Sequence, residues 1–527
     1  MFVSNRRGKV IHMFMNKLFV PVGMKRAFAT LATASFVSSA ALGAQLNVPA
    51  DHFTIQQAIN EAASGDTVLV APGVYQESID FLGKDIVVLS DAGPAVTIID
   101  PLQTNWVARI VGAVGRSARL EGFTLRNGSP GVVIGGGAAV TIINNRIISN
   151  FACSGAGMTI IGSSPLVLSN LIAGNFSNGF SGCGAGGIYV GGVGGAEIVG
   201  NVITNNFNGQ VVFNSGGAPI ASAPLLQGNV IGWGTNGAGI GFFNGFNGII
   251  VNNLILENAG SGISGVVPAN SQSPVIVNNT LVANRDSGIA IGGSSGATII
   301  ANNIVVAFSN HVATGSTLPM MWNNNFYSAG AAFAGLGPNP IGVQGNISVD
   351  PNFVDSSNSD YRLKANSLLI NSGDNRHLPS TVTNDFEKSI RIRGKTVDMG
   401  AYEFQSPTSD ISYHWLQANG LSRDGSSDYT DPDGDGMNNW QEWRSDTVPT
   451  NALSVFRIVD VKSQNRRRSV TWISGVNRSY VLERSIDLSK AGYSIVRSNL
   501  AGATNMTTFL DGSASSPGAF FYRVSTP

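Results

Sequence analysis

The feature that most constrains this chain is a short motif, an Asn followed by alternating aliphatic residues, that returns at nearly even intervals. It reads NNRIISN at Asn145, SNLIAGN at Asn170, GNVITNN at Asn201 and GNVIGWG at Asn229. NNLILEN at Asn253, NNTLVAN at Asn279 and NNIVVAF at Asn303 continue it, with spacings of 25, 31, 28, 24, 26 and 24 residues. Degraded copies, EGFTLRNG at Gly122 and NNNFYSAG at Asn325, extend the series at both ends. Each copy passes a Gly-rich turn into another short alternating strand, as in GSGISGVV, DSGIAIGG and GAGGIYVGG. A period of roughly 20–30 residues, built from short strands without a helical pattern, specifies a stacked solenoid. The units lack a leucine consensus and are too short for four-stranded propeller blades. An Asn at one fixed place per turn can hydrogen-bond its amide to the Asn above and below, as side-chain ladders do in cross-β stacks. The predicted fold is all-β, a parallel β-helix, and these Asn residues are predicted to be structural.

Composition agrees with many turns joining many strands. Gly accounts for 65 of 527 residues and charged residues for 12%, against about 25% charged in ordinary globular domains. The 32 basic and 32 acidic residues cancel, so no electrostatic footprint for nucleic acid or an anionic membrane surface is present. The start, MKRAFATLATASFVSSAALGAQ, places Lys25 and Arg26 before an apolar run, Ala27–Leu42, with small residues up to Ala44. That is the layout of an export signal, expected over 1–44, with Met24 as an alternative start. The run is too short and too rich in Ser and Thr to span a bilayer, so no transmembrane segment is expected in the mature chain. Secretion or surface display follows, in an oxidising compartment. The only two cysteines open CSGAGMTI at Cys153 and CGAGGIYV at Cys183, the same local register one repeat apart. Coils stacked at about 4.8 Å would put their Cα atoms inside the window of about 4.4–6.8 Å that a disulfide needs. Two buried free thiols are the alternative.

The entry segment, VPADHFTIQQAINEAASGDTVLVAPGVYQESIDFLGKDIVVLSDAGPAVTIID, has Thr54 and Gln57 as a capping box ahead of Ile55, Ala58, Ile59 and Ala62. These lie on one face of a short helix that would cover the open end of the first coil. The strands DTVLVA and DIVVLS then begin the stack. Over roughly Val48–Phe404 the chain resembles right-handed parallel β-helices of the pectin-lyase-like superfamily. Its far end, NISVDPNFVDSSNSDYRLKANSLLINSGDN followed by DFEKSIRIRGKTVDMGAYEF, resembles the choice-of-anchor Q region of bacterial surface β-helix proteins. The matching residues are Asp350, Pro351, Phe353, Asp360, Tyr361, Leu363, Gly373, Asp385, Arg391, Asp398, Gly400, Tyr402 and Glu403. Leu368 and Asn371 stand where that pattern more often has Pro and Asp. The resemblance implies surface location rather than a reaction. The domain reading is a β-helix over 45–404 that includes this region at 345–404.

Fold does not supply chemistry. Elimination across a uronate needs a base and a cation, yet residues 101–340 contain no Lys. Hydrolysis needs two carboxylates about 5–9.5 Å apart, and that stretch holds only Glu121, Glu197, Glu257 and Asp286, at different places in the repeat. One constellation remains as a catalytic candidate. Arg285 and Asp286 follow Asn279 by six and seven residues, and His311 follows Asn303 by eight, so adjacent coils could bring base and orienter together. The alternative is a surface ion pair beside an unrelated neutral His.

Composition changes after Phe404. SPTSD (406–410) reads as linker and ISYHWLQANGL as a short helix. DPDGDGMNNWQE (431–442) fits the calcium-loop template. Asp431, Asp433 and Asp435 occupy positions 1, 3 and 5, Met437 would offer its carbonyl, and Asn439 and Glu442 hold the ninth and twelfth positions. The expected cofactor is a structural Ca2+. The loop lies in an expected linker over 405–455, and the stretch Trp415–Ile458 resembles thrombospondin-type-3 or dockerin-like calcium segments that precede the C-terminal module in many exported verrucomicrobial proteins. TVPTN, with Val448 where an acidic residue is usual, and the poor loop RDGSSD (423–428) argue against a second site. Strands SVTWIS, SYVLERSID, YSIVRS and AFFYRVS predict a small β-sandwich over 456–527. The whole reads as an exported, monomeric, non-catalytic scaffold contacting polysaccharide or cell envelope. The alternative is a polysaccharide lyase or glycoside hydrolase using a groove on the β-helix.

Overall fold

The computed structural model describes residues 43–526 except 180–183, 217–221, 269–272, 294, 308, 316, 329, 331, 336–338, 465–466, 488–491 and 515–517. All but the last two residues of the export signal expected over 1–44, and Cys183, therefore lie outside the described residues. No helix among those described is long and apolar enough to cross a membrane.

Short strands cannot bury both faces alone, and the repeat solves this by stacking. Each coil gives one strand to each of three parallel sheets, of 12, 11 and 11 strands. The first sheet runs from Gln45–Val48 to Met320–Trp322, the second from Gly73–Tyr75 to Asn325–Phe326, and the third from Ile79–Asp80 to Ala332–Ala334. In-register pairing stacks like on like. Val167, Ile198, Leu226, Ile250, Ile276 and Ile300 form one inward column of the first sheet, all fully buried. Branched aliphatics suit such a pleated interior. Helix α1 (Ile55–Glu61) closes the first coil with Ile55, Ala58 and Ile59 buried, and the Thr54–Gln57 capping box forms as the sequence predicts. A contact the sequence did not reveal reinforces it: Glu77 Oε1 and Oε2 accept the Ile55 and Gln56 N–H groups at 2.9 and 2.8 Å.

The Asn ladder is present. Nδ2 of Asn170, Asn201, Asn229, Asn253, Asn279 and Asn303 each donates to the Oδ1 of the next coil's Asn, at 2.9–3.0 Å. At the far end the ladder residue is Asn324, followed by Asn346, and not Asn325. At the near end Phe123, not Gly122, occupies the register, its N–H donating to Asn145 Oδ1. A second ladder, five residues on, passes through Asn150, Asn175 and Asn206 and resumes at Asn258 and Asn284. Gly234 interrupts it, and Gln210 Oε1 takes the missing place by accepting Asn206 Nδ2 at 2.9 Å.

After Asn346 and Ile347, which continue the ladder and bridge to Asn325, the 345–404 region adds no further coil. It turns back along the outside and covers two outer faces of the solenoid. Tyr361, Ala401 and Tyr402 pack on Val202, Val230 and Leu254, while Val382 and Leu378 pack on Val251, Val277 and Ala301. This explains the doubled Asn of the later repeats. The first Asn of each pair adopts positive φ at Asn252, Asn278, Asn302 and Asn323, which turns its side chain away from the ladder. There Nδ2 donates to the returning backbone at Asn384 O, Asp398 O, Asp374 O and Ser372 O. The earlier coils have Ser169, Gly200 and Gly228 at this place, and the doubled Asn144 donates instead to Glu121 Oε1 at 3.3 Å.

Beyond it, helices α2 (Tyr413–Ala418) and α3 (Asn439–Ser445) flank the acidic loop. The C-terminal strands form two three-stranded antiparallel sheets. They close over Val470, Trp472, Tyr480 and Leu482. Two of their strands, Ile458–Gln464 and Asn505–Asp511, escaped the sequence reading because their charged and polar residues dilute the alternation.

Candidate metal centre

The residues from Asp431 to Glu442 converge. Two Gly residues make this possible: Gly434 and Gly436 take φ of 74° and 95°, a region that side chains with a Cβ avoid. The turns are pinned by the carboxylates themselves, with Asp431 Oδ1 and Oδ2 accepting the Gly434 and Gly436 N–H groups at 2.9 and 3.0 Å. Asp435 Oδ1 accepts the Met437 N–H at 2.7 Å. One oxygen from each of Asp431, Asp433 and Asp435 lies within 4.8 Å of the others.

Glu442 completes the set from helix α3. It is fully buried, and neither carboxylate oxygen has a well-formed hydrogen bond. Asp433 Oδ2 and Asp435 Oδ2 are likewise buried and unpartnered. Burial first, then the charges of Asp433, Asp435 and Asp431, push the Glu442 carboxyl up to about 7, with the Thr447 hydroxyl opposing weakly. Buried acceptors without donors are costly, and four carboxylates facing one another repel. A hard divalent cation with oxygen ligands relieves both penalties. Asn439 fits the same set: its Nδ2 donates to Ser427 O at 2.7 Å and Thr430 Oγ1 at 3.1 Å, which leaves its Oδ1 unpartnered. Met437 sits between Asp435 and helix α3, and its Sδ accepts the Phe456 N–H at 3.4 Å. The 423–428 stretch builds no matching loop. Asp428 is buried and accepts from Ser409 Oγ at 2.7 Å and from the Asp410 N–H at 2.8 Å.

The catalytic candidates do not assemble. Arg285 and Asp286 are exposed on the turn before the strand Ser287–Gly293. His311, on the next coil, points inward and is only 3% exposed, with its ring 5.4 Å from Phe333 and 5.7 Å from Phe326. Burial lowers its pKa to about 4, opposed by a hydrogen bond to the Val305 backbone. A neutral imidazole sealed among aromatic rings cannot exchange protons with a group on the outer surface. The acidic residues of the coils are spread out, Glu197 pairing with Arg116 at 2.7 Å and Glu121 with Arg119 at 2.9 Å.

Cys153 is exposed rather than buried.

The acidic residues of the anchor-like region serve its own backbone. Asp398 accepts the Asn371 and Phe404 N–H groups at 2.7 and 2.6 Å, and Glu403 accepts those of Arg393 and Asp398 at 2.9 and 3.0 Å. Between them lies Arg391, 1% exposed, whose Nη2 donates to Asp398 O and Gly400 O, each at 2.9 Å. Burial pushes the Asp398 and Glu403 carboxyls well up, and the Arg391 charge opposes this.

Comparison with known proteins agrees with the fold. Residues 176–328 match the family described as right handed beta helix region, and the solenoid takes its hand from that match. No curated protein matches the chain. Among solved structures, the PL6 family alginate lyase AlyGC is similar at 12% identity and a TM-score of 0.34. The alignment covers 54% of this chain and 47% of the lyase, so the chain spans about half of that enzyme's length.

Proposed function

We propose that the protein is an exported, non-catalytic β-helix scaffold that contacts polysaccharide or another envelope component and carries a calcium-stabilised C-terminal segment. The observation that carries the scaffold reading is the separation of the one catalytic candidate set: Arg285 and Asp286 face solvent while His311 is sealed among Phe326 and Phe333. The calcium reading is supported by the buried, unpartnered Glu442 carboxylate set against Asp431, Asp433 and Asp435. The matching sequence contexts of Cys153 and Cys183, one repeat apart, support a disulfide between them, in keeping with export. A monomer is the expected state.

The test uses the chain from Gln45, with calcium, against a panel of uronate and neutral polysaccharides. Absorbance of unsaturated products and release of reducing ends report turnover, and pull-down on insoluble glycans or cell walls reports binding. The expected result is calcium-dependent retention without turnover. Turnover abolished by Asp286→Ala or His311→Ala would replace the scaffold with an enzyme, a lyase or hydrolase.

A further inference from the structure

We propose that the cation held by the 431–442 loop is a latch: its binding sets how the C-terminal β-sandwich seats on the end of the β-helix. This rests on the calcium reading of the loop and assigns that site a consequence. Helix α3 is the connecting part. Glu442 belongs to it, and the two ends of that residue serve different partners. Its carboxylate faces the aspartates, while its carbonyl accepts the N–H groups of Asp446 and Thr447, which end the helix.

What the helix end presents is a socket for the turn at 475–478, which joins the two sheets of the sandwich. Arg478 Nε donates to the carbonyls of Trp443 and Arg444, each at 3.1 Å, and the Arg478 guanidinium lies 5.6 Å from the Trp443 ring. Tyr480 Oη donates to Ser445 O at 3.0 Å, and the Asn477 N–H donates to Asp446 Oδ2 at 3.2 Å. Gly475 approaches so closely that a Cβ there would lie 2.0 Å from Asp446 Oδ2. The same turn reaches the solenoid on its other side. Asn477 Oδ1 accepts the Gly345 N–H at 3.1 Å, and Ser479 Oγ accepts from Arg376 Nη1. A cleft of about 130 Å3 remains at this junction, lined by Asn346, Trp443, Asp446, Asn477 and Arg478 among others.

A seven-residue helix is not stable by itself. Helix α3 is held by its capping box at Asn438, by Trp443 packed with Ile411 and Leu416, and by the loop at its start. Without a cation, the buried Glu442 carboxylate is set against three like charges, opposed only weakly by the Thr447 hydroxyl. The first turn then loses its anchor, and the carbonyls and Asp446 that form the socket lose their fixed positions. The sandwich keeps its own core of Trp472, Tyr480 and Leu482, so release of the latch frees the module without unfolding it.

The experiment compares the full chain with calcium and after chelation, reading calcium binding by titration calorimetry and local opening by amide hydrogen exchange. Chelation is expected to speed exchange at Asn477 and Gly345 by about tenfold or more, with little change in the strands Arg467–Ser474 and Ser479–Ser485. Glu442→Gln should reproduce that pattern in the presence of calcium. Asn477→Ala should open Gly345 while leaving the calcium titration intact. Calcium binding with unchanged exchange at Asn477 and Gly345 would overturn the latch and leave the calcium site standing. An absence of calcium binding would overturn both. If chelation instead opens the whole sandwich, the cation acts on folding and the latch is wrong.

Discussion

Asn278 and Asn279 are neighbours with the same side chain, and the structure assigns them different values. Asn279 is fully buried. Its Nδ2 donates to Ile250 O, Val277 O and Asn303 Oδ1 at 2.8, 2.9 and 3.0 Å. Its Oδ1 accepts both the backbone N–H and the Nδ2 of Asn253, each at 3.0 Å. Asn279→Ala would leave the Asn253 backbone N–H without a partner, while Asn253 Nδ2 keeps Leu226 O and Val251 O at 2.9 and 3.0 Å. At about 1–3 kcal/mol for that orphaned donor, with about 1 kcal/mol for the other lost amide bonds, the loss is roughly 2–4 kcal/mol. Asn278 has φ of 52°, so glycine is the substitution that tests its hydrogen bonds without adding strain. Its Nδ2 serves Asp398 O and Gly400 O, both of which keep Arg391 Nη2. Asn278→Gly should therefore cost only about 1 kcal/mol. A solenoid is stabilised mainly between neighbouring coils, so native-state hydrogen exchange is the suitable assay, with urea denaturation as a check. The first variant should open the coils around Asn253 and Asn303, and the second only the docking of residues 398–400. If Asn278→Gly costs as much as Asn279→Ala, the inward ladder is not what holds the corner.

Three further outcomes are expected. His311 titrates at about 4 in the fold against 6.5 when free, so the unfolded chain binds its proton first as pH falls. Stability should decline through that window by roughly 3 kcal/mol, and His311→Phe should remove that part of the slope in pH-dependent urea melts. Thr54→Ala removes the Gln57 N–H acceptor of the capping box and should cost about 1 kcal/mol, read as faster exchange confined to Ile55–Glu61 and the first coil. Protein recovered from an oxidising compartment should show no free thiol on denaturation without reductant, and both thiols after reduction; two thiols in the first assay would refute the Cys153–Cys183 bridge.

Period and alternation made the solenoid legible, because stacking forces chemically similar residues into the same place on every coil. The ladder was legible for the same reason, but its ends were not. Gly122 and Asn325 were each one residue out of register, since a lone motif without a neighbouring copy does not mark which residue turns inward. The second ladder stood in the same strings, at Asn150, Asn175, Asn206, Asn258 and Asn284. Gly234 hides its regularity, and the Gln210 that repairs it comes from a different strand. The return of 345–404 over the solenoid was not readable as such. Its cue was the doubling of Asn at 252, 278, 302 and 323, which serves a contact with residues 70 or more positions away in three of the four cases. The calcium loop was legible because its ligands are local in sequence. The helix-end socket that it supports was not, since Arg478 and Tyr480 meet it only through the tertiary fold.

The distribution of charge shows how the molecule divides its work. Through the coils the interior is closed by neutral amide ladders, which satisfy buried backbone without an ion to desolvate. Such ladders need identical neighbours and so can operate only where the chain repeats. Beyond Asn346 the repeat ends, and irregular segments must be fixed by residues that have no copies above or below. There the chain turns to ionic devices: Arg391 between Asp398 and Glu403, Lys395 set 4.9 and 5.1 Å from the Tyr429 and Trp440 rings, and the four carboxylates of the metal loop. Each holds one non-repeating segment against its neighbour. Disruption of a ladder residue should therefore open adjoining coils, whereas disruption of an ionic device should release a segment and leave the coils closed.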